Sequence, residues 1–421
     1  MTLHNEDLSH EPGGRYAWFL MAFLPVAWYG SSFAAFSLGL MLPDMKGDIG
    51  LSDTQGGVLG GAIFGASVLL TLPLTPWLAR FRPAPLMTYS LLAATACVIA
   101  MALAPDFWTQ LAARASLASV WVAGIPIRTK LTRQWMRPDQ FAVVNGLHQA
   151  EYGALEVFTF AATPWLIGIM GGWRGALALG AVLCAVAALC TFLFARERPL
   201  PAQTVAVANP HGSSLDVLRR HRELWAVALI AFGCDIGWGA FITFYPTFGL
   251  EEFGLSEGFS GVALAVSSLA MVPGGLLAIS IARRVGPRMV FMVPSLMLGL
   301  SFVGLALIGQ PVVVITLWVV IGTAWVYFPV LMTIPFHLKG ARDDEVAVAS
   351  SFLIAVVNAS IAIGPPITGA LGDAAGSLQI GLLVTSASPL ITIAGVMLTP
   401  RDTLRTAPST PVRGLAAAAT V

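Results

Sequence analysis

The sequence predicts an all-α membrane protein: twelve transmembrane helices in two pseudo-symmetric six-helix bundles, with both termini cytoplasmic. Three observations carry this reading. Hydrophobic residues make up 57% of the 421 and charged residues only 11%, against about 25% charged in an ordinary soluble domain, and the charges cluster between long apolar runs. Gly50–Val58 reads GLSDTQGGV and Gly254–Val262 reads GLSEGFSGV, five identities at an offset of 204 residues. The same offset places Arg80 on Arg284 and Pro83 on Pro287, and at offset 205 Ala142 and Val143 fall on Ala347 and Val348, so one unit is used twice. Finally, if residues 1–15 lie in the cytoplasm, alternate loops do too. Those loops and their helix ends hold all 23 Lys and Arg except Lys46, Arg114 and Arg174, the positive-inside asymmetry.

A spanning helix needs about 20 mainly apolar residues to cross roughly 30 Å of hydrocarbon. The polar segment 1–15 carries no signal peptide and leads into the first such run, Tyr16–Leu42. Thr54–Leu78 opens inside the first repeat copy and ends at a basic turn with Arg80 and Arg82; Pro85–Ala104 follows it. Trp108–Thr132 contains Arg114 and runs out among Arg128, Lys130 and Arg133, expected to anchor the cytoplasmic end. Phe141–Ile169 is interrupted by HQAEYGALE at 148–156, and Arg174–Ala195 closes the first half. In the second half Leu224–Phe248 carries Asp235, Glu257–Ala282 opens inside the second repeat copy, and Arg288–Ile308 follows the basic stretch from Arg283. Val312–His337 holds Trp325 and Tyr327, Val346–Leu371 holds Asn358 and a Gly-Pro-Pro break, and Leu378–Thr399 ends the set. A soluble protein with this many buried helices would have nothing amphipathic left to cover them.

The expected organisation is a cytoplasmic segment 1–15, a bundle 16–195, a linker 196–223, a second bundle 224–399 and a cytoplasmic tail 400–421. The linker is polar, rich in Pro and basic residues, and Leu215–Arg222 is suited to a short surface helix. The tail is small and polar, which favours disorder. Both GLS[DE] copies then fall at the outer surface.

Several stretches carry a family resemblance. Arg284-Val-Gly286-Pro-Arg288 is similar to the later part of a DRxGRR loop, whose first-half counterpart ARFRPAP keeps Arg80 but lacks the Asp and Gly. Arg114 followed by Pro126 matches a fourth-helix spacing, with Ala118 and Val120 in place of glycines, and Gly172-Trp173-Arg174 resembles the GWR of anion-transporting branches. Over Tyr16–Thr399 the chain resembles the major facilitator superfamily of secondary transporters, built from two related six-helix halves. The resemblance implies a central cavity lined by the first, fourth, seventh and tenth helices.

Ionisable groups inside a bilayer are costly, so each is a functional candidate. His148, Tyr152 and Glu156 are spaced four apart and share a helix face, with Glu151 close to it. Glu156 lies near mid-membrane, where a carboxylate suits proton carriage; His148 and Glu151 lie nearer the cytoplasm, on a path for the proton or in a wetted vestibule. A helix-packing cluster is the alternative. The eleventh-run counterparts Leu353, Val356 and Ile361 are apolar, so scaffold symmetry does not explain the cluster. Asp235, also near mid-membrane, is read as facing the cavity or as partner to a neighbouring helix. Arg114 has three readings: neutralising Glu156 or Asp235, binding a substrate carboxylate, or snorkelling outward. It cannot grip one small ligand together with Arg128, about 21 Å away along the helix. Tyr29, Trp121, Trp238 and Trp325 lie on the implied cavity helices and are suited to stacking or packing, and Asn358 is a hydrogen-bonding candidate.

Other chemistries lack their motifs. The sequence has no GxxxxGK[ST] for ATP, no HExxH or paired CxxC for a metal and no basic nucleic-acid surface. Cys97, Cys184, Cys190 and Cys234 read as small apolar fillers. The expectation is a non-enzymatic, monomeric transporter in the bacterial inner membrane, without cofactor, metal or nucleic-acid partner. It would move a small organic solute, most simply an organic anion, with a coupling proton by symport and alternating access. The alternatives are a proton-coupled efflux antiporter for drugs or metabolites, and a transporter-like sensor that moves nothing.

Overall fold

The computed structural model describes residues 13–198, 214–338, 340–400 and 403–404. Regular structure among them is helical: α1 Arg15–Ala27, α2 Tyr29–Phe36, α3 Leu38–Ile49, α4 Asp53–Leu78, α5 Pro83–Leu103, α6 Phe107–Trp135, α7 Phe141–Ile169 and α8 Trp173–Phe194. After the linker helix α9 Ser214–Arg220 come α10 Glu223–Phe253, α11 Glu257–Val285, α12 Met289–Leu307, α13 Pro311–Ala324, α14 Tyr327–Leu331, α15 Asp343–Ala375, α16 Leu378–Thr385 and α17 Pro389–Leu398. The first run breaks into α1, α2 and α3 around Trp28 and Ser37; the tenth becomes α13, α14 and a 3₁₀ turn, Ile334–His337. The expected surface helix within Leu215–Arg222 is α9. The expected tails and the middle of the linker lie outside the described residues.

Ten helical segments among the described residues are long and apolar enough to cross a membrane, and the chain is a multi-pass membrane protein. The remaining two predicted runs are α6 and α7, each of 29 residues. They have the length but carry Gln110, Arg114, Arg128, Lys130 and Arg133, or His148, Glu151 and Glu156. α6 is the less apolar of the two, whereas α7 contains the apolar segment Gly153–Ile169.

The GLS[DE] repeat has a local physical meaning. Gly50 and Gly254 adopt φ of +67° and +64° and end α3 and α10, a left-handed geometry that glycine adopts without steric cost. Two residues on, Ser52 and Ser256 accept from the backbone N–H groups of Gln55 and Phe259, opening α4 and α11. Each copy is a helix stop followed by a helix start.

The two halves meet chiefly along α4 against α15, α7 against α11, and α3 against α10. Glycine makes the first two approaches possible. A Cβ on Gly57 would lie 2.3 Å from the Pro365 carbonyl oxygen of α15, and one on Gly261 would lie 2.6 Å from the Phe160 carbonyl oxygen of α7. Gly57 and Gly261 occupy the same repeat position, and Phe160 and Pro365 are themselves 205 residues apart, so the crossings are related by the duplication. Close backbone approach through small residues is how helices associate in lipid, where no hydrophobic force drives them together. α1 and α6 find their main partners within their own half.

Candidate functional site

Polar contacts seal one end of the molecule. Lys46, at the end of α3, lies 2.8 Å from Asp53 of α4 and 3.2 Å from Glu251 of α10. Burial pulls the Lys46 ammonium down, but the Asp53 hydrogen bond and charge, with Glu251 behind them, leave its pKa raised overall. At the neighbouring seam Asp373 of α15 accepts from the backbone N–H groups of Asp53 at 3.0 Å and Thr54 at 2.8 Å, and from the Thr54 hydroxyl. A carboxylate thus caps the first turn of α4 from the opposite half. The Gly-Trp-Arg segment belongs to this end too: the Trp173 indole donates to Asp48 at 3.1 Å, and Arg174 pairs with Asp48 and donates to the Ala102 and Ala104 carbonyls. It ties α8 to α3 and α5, a structural clamp.

Toward the opposite, basic end a cavity of about 240 Å³ opens along α1, α2, α6 and α7. Its walls include Trp28, Ser31, Ser32, Trp121, Arg128 and His148. Trp121 is held by Phe36 and Phe64, with ring centroids at 5.8 and 6.0 Å. His148 is 4% exposed, and its Nε2 lies 3.0 Å from the Met21 carbonyl oxygen. A carbonyl only accepts, so Nε2 carries the proton, and Nδ1 is left buried without a partner. Arg128, at the basic end of α6, lies exposed on the cavity wall.

One helical step separates the cavity from the seam. Leu155 lines the cavity, whereas Glu156 is 9% exposed and faces the Ser268 hydroxyl of α11. The carboxylate sits where α7 of one half packs on α11 of the other. Glu151 is half-buried, one Oε without a partner among the described residues. The Tyr152 side chain lies outside the described ones. Sequence reasoning missed Ser268, although the Ser267-Ser268 pair inside an apolar run was a visible signal.

Arg114 is 1% exposed and donates to the carbonyls of Leu59 at 2.9 Å and of Ala34 and Ala35 at 3.1 Å. It joins α6 to α2 and α4 and makes no ion pair among the described residues. None of its three sequence-based roles matches this geometry. Asp235 has no exposed surface; the Tyr327 hydroxyl donates to one carboxylate oxygen at 3.1 Å, and the other has no partner. Its surroundings belong to the second half: Cys234 contacts Ser295 and Thr392, and the Gly237 N–H donates to Ser388. The structure therefore gives Asp235 a neighbouring-helix partner, apart from the described cavity. Trp238 and Trp325 pack edge to face at 5.3 Å beside it. Tyr29 packs on Phe33 and Phe158. Asn358 is half-buried on α15, four residues before Ala362, whose carbonyl a Cβ on Gly61 of α4 would meet at 2.1 Å. It thus shares the α4-facing side of α15.

Three features now stand together: duplicated halves, a sealed end with a cavity toward the other, and a buried carboxylate in a seam between halves. A family profile described as Major Facilitator Superfamily matches residues 29–344. Among solved structures, a bacterial homolog of the human lysosomal transporter Spinster, in inward-facing occupied and unoccupied conformations, aligns with a TM-score of 0.81 at 16% identity, covering 94% of this chain and 99% of that one. The nucleoside transporter NupG aligns with a TM-score of 0.72 at 14% identity, covering 90% and 97%. At these identities the likeness concerns the fold. No curated protein sequence matches significantly.

Proposed function

The chain belongs to the Major Facilitator Superfamily, and on that premise we propose that it carries a small organic anion across the bacterial inner membrane by proton symport with alternating access. The reading takes twelve crossings in bundles 16–195 and 224–399, both termini at the cytoplasmic side. The observation that carries it is Glu156, buried in the α7–α11 seam between halves, one residue from Leu155 on the cavity wall. A group in such a seam senses both the cavity and the relative position of the halves. Protonated, it crosses the seam as a neutral hydrogen-bonding partner of Ser268; ionised, it favours the arrangement that wets it, since an uncompensated buried charge is costly. Glu151 is the next carboxylate toward the basic end. Asp235 with Tyr327 is a second protonatable pair, inside the second half.

Positive-inside asymmetry makes the basic end cytoplasmic. The molecule is then open inward and sealed outward, the conformation named for the Spinster homolog. Solute and proton enter from outside, the halves rock about their glycine crossings, and both leave through the basic end. Arg128 supports an anionic solute, because it places a positive charge on the cavity wall.

In proteoliposomes with an imposed proton gradient, Glu156→Gln is expected to lose gradient-driven accumulation of the transported anion and to keep anion exchange at zero gradient. Full accumulation by that variant would overturn the role given to Glu156.

A further inference from the structure

The cavity wall contains two polar groups that the fold leaves unused. Arg128 makes no ion pair among the described residues and is exposed to the cavity, in contrast to Arg114, which is occupied by carbonyls. His148 has Nε2 tied to the Met21 carbonyl, which fixes the neutral ring as the Nε2–H tautomer and leaves Nδ1 a lone-pair acceptor. A buried acceptor with no donor is a cost that a ligand can remove. Both line the same cavity. Trp28 and Trp121 add flat apolar surface to the same cavity, and Trp121 is held by Phe36 and Phe64. At about 240 Å³ the space is smaller than the roughly 300–1,000 Å³ of drug-sized sites, which suits a single ring.

We propose that Arg128, His148, Trp28 and Trp121 form the substrate subsite, and that it takes a hydroxylated aromatic monocarboxylate. This rests on the organic-anion reading above and narrows it. The Arg128 guanidinium receives the carboxylate, His148 Nδ1 accepts from the ring hydroxyl, and the indoles contact the ring. Each group recognises a different part of the ligand, so each is tested by a different comparison. A carboxylate-to-guanidinium pair is planar and charge-assisted, so a neutral amide of the same shape loses it. A puckered saturated ring loses the flat contact with the indoles.

The test is calorimetric binding to the full chain in lipid nanodiscs. The probes are benzoate, its three monohydroxy isomers, cyclohexanecarboxylate, benzamide and uridine. Benzoate is expected to bind about tenfold more tightly than benzamide and more tightly than cyclohexanecarboxylate, with at least one hydroxybenzoate tighter still. Arg128→Gln is expected to erase the benzoate–benzamide difference, Trp121→Leu the benzoate–cyclohexanecarboxylate difference, and His148→Ala the hydroxyl advantage. Each variant's melting temperature and elution volume should match the parent's, and Arg128→Lys should retain part of the preference for charge. Equal, Arg128-dependent binding of benzoate and cyclohexanecarboxylate would overturn the aromatic subsite and leave the organic-anion reading standing. Binding of none of the aromatic acids, with proton-driven uptake of another organic anion intact in proteoliposomes, would also overturn the subsite alone. Tight uridine binding untouched by Arg128→Gln, with no anion uptake, would overturn both.

Discussion

At the scale of single residues, position in the membrane says less than what each polar atom meets. Arg114 and Arg128 lie on one helix, the first read in sequence as a candidate site residue and the second as a cytoplasmic-end anchor. One is buried under three carbonyls and the other faces a cavity. Arg114→Leu removes three hydrogen bonds from a charged donor, each worth about 1.5–3 kcal/mol. The expected outcome is a clear fall in melting temperature in detergent, with substrate affinity unchanged in the protein that stays folded. Tyr327→Phe removes the donor that Asp235 has, and is expected to alter the pH dependence of transport without changing substrate affinity at saturating proton concentration. Unchanged pH profiles for Tyr327→Phe and Asp235→Asn together would assign that pair to packing. Sequence placed Glu156 and Asp235 at mid-membrane because their depth follows from counting residues along a helix. That Ser268 and Tyr327 are their partners was not legible, since which faces of two helices meet depends on rotation about each axis, and no local pattern records that pairing.

At the scale of elements, the helices themselves were legible nearly throughout, because each run is written in its own composition. The breaks were harder. The kinks that divide the first run at Trp28 and Ser37 carry no glycine at the kink residue, and Pro25 and Pro43 stand inside α1 and α3. The repeat was visible as letters, but its mechanical content is Gly57 and Gly261, each pressed on a carbonyl of the other half. Gly57→Val would drive its Cβ, which at 2.3 Å already has no room, into Pro365. Overpacking of this kind costs about 1–3 kcal/mol, a shift of roughly 5- to 150-fold in the balance between sealed and open arrangements. The expected variant folds and inserts but transports slowly, with the sealed end open to reagents. Gly261→Val tests the related crossing, and equal penalties would show that both seams close together.

Considered whole, the molecule is two similar bodies fastened at one end. The Lys46 and Asp373 contacts are partly open to water, so each is worth about 1 kcal/mol or less. Their number and common location bias the resting conformation without locking it. Asp373→Asn is expected to raise maleimide labelling of a cysteine placed at Leu42, which is fully buried, about fivefold in a background whose native cysteines are replaced by alanine. No change would remove Asp373 from the gate. Because the Lys46 pKa is raised by its carboxylate partners, its contribution is complete below the ordinary lysine value and is lost only as pH climbs through the raised one. The latch therefore stays fastened across the physiological range, and labelling of Leu42→Cys should rise only in strong alkali.

The duplication made both glycine crossings, yet among the described residues only the first has a helix-capping carboxylate from the opposite half. Asp373 caps α4 at the α4–α15 edge, while the residue 205 positions before it on α7 is Gly168, with no side chain to offer. A body capped along one margin, and joined along the other at Glu156 and Ser268, need not part evenly: it can swing like a door about the capped edge. The opposite edge is the α7–α11 line, where Glu156 sits. In the proposed cycle the proton is taken up on that edge, where neutralising one carboxylate removes the charge that opposes closing the seam.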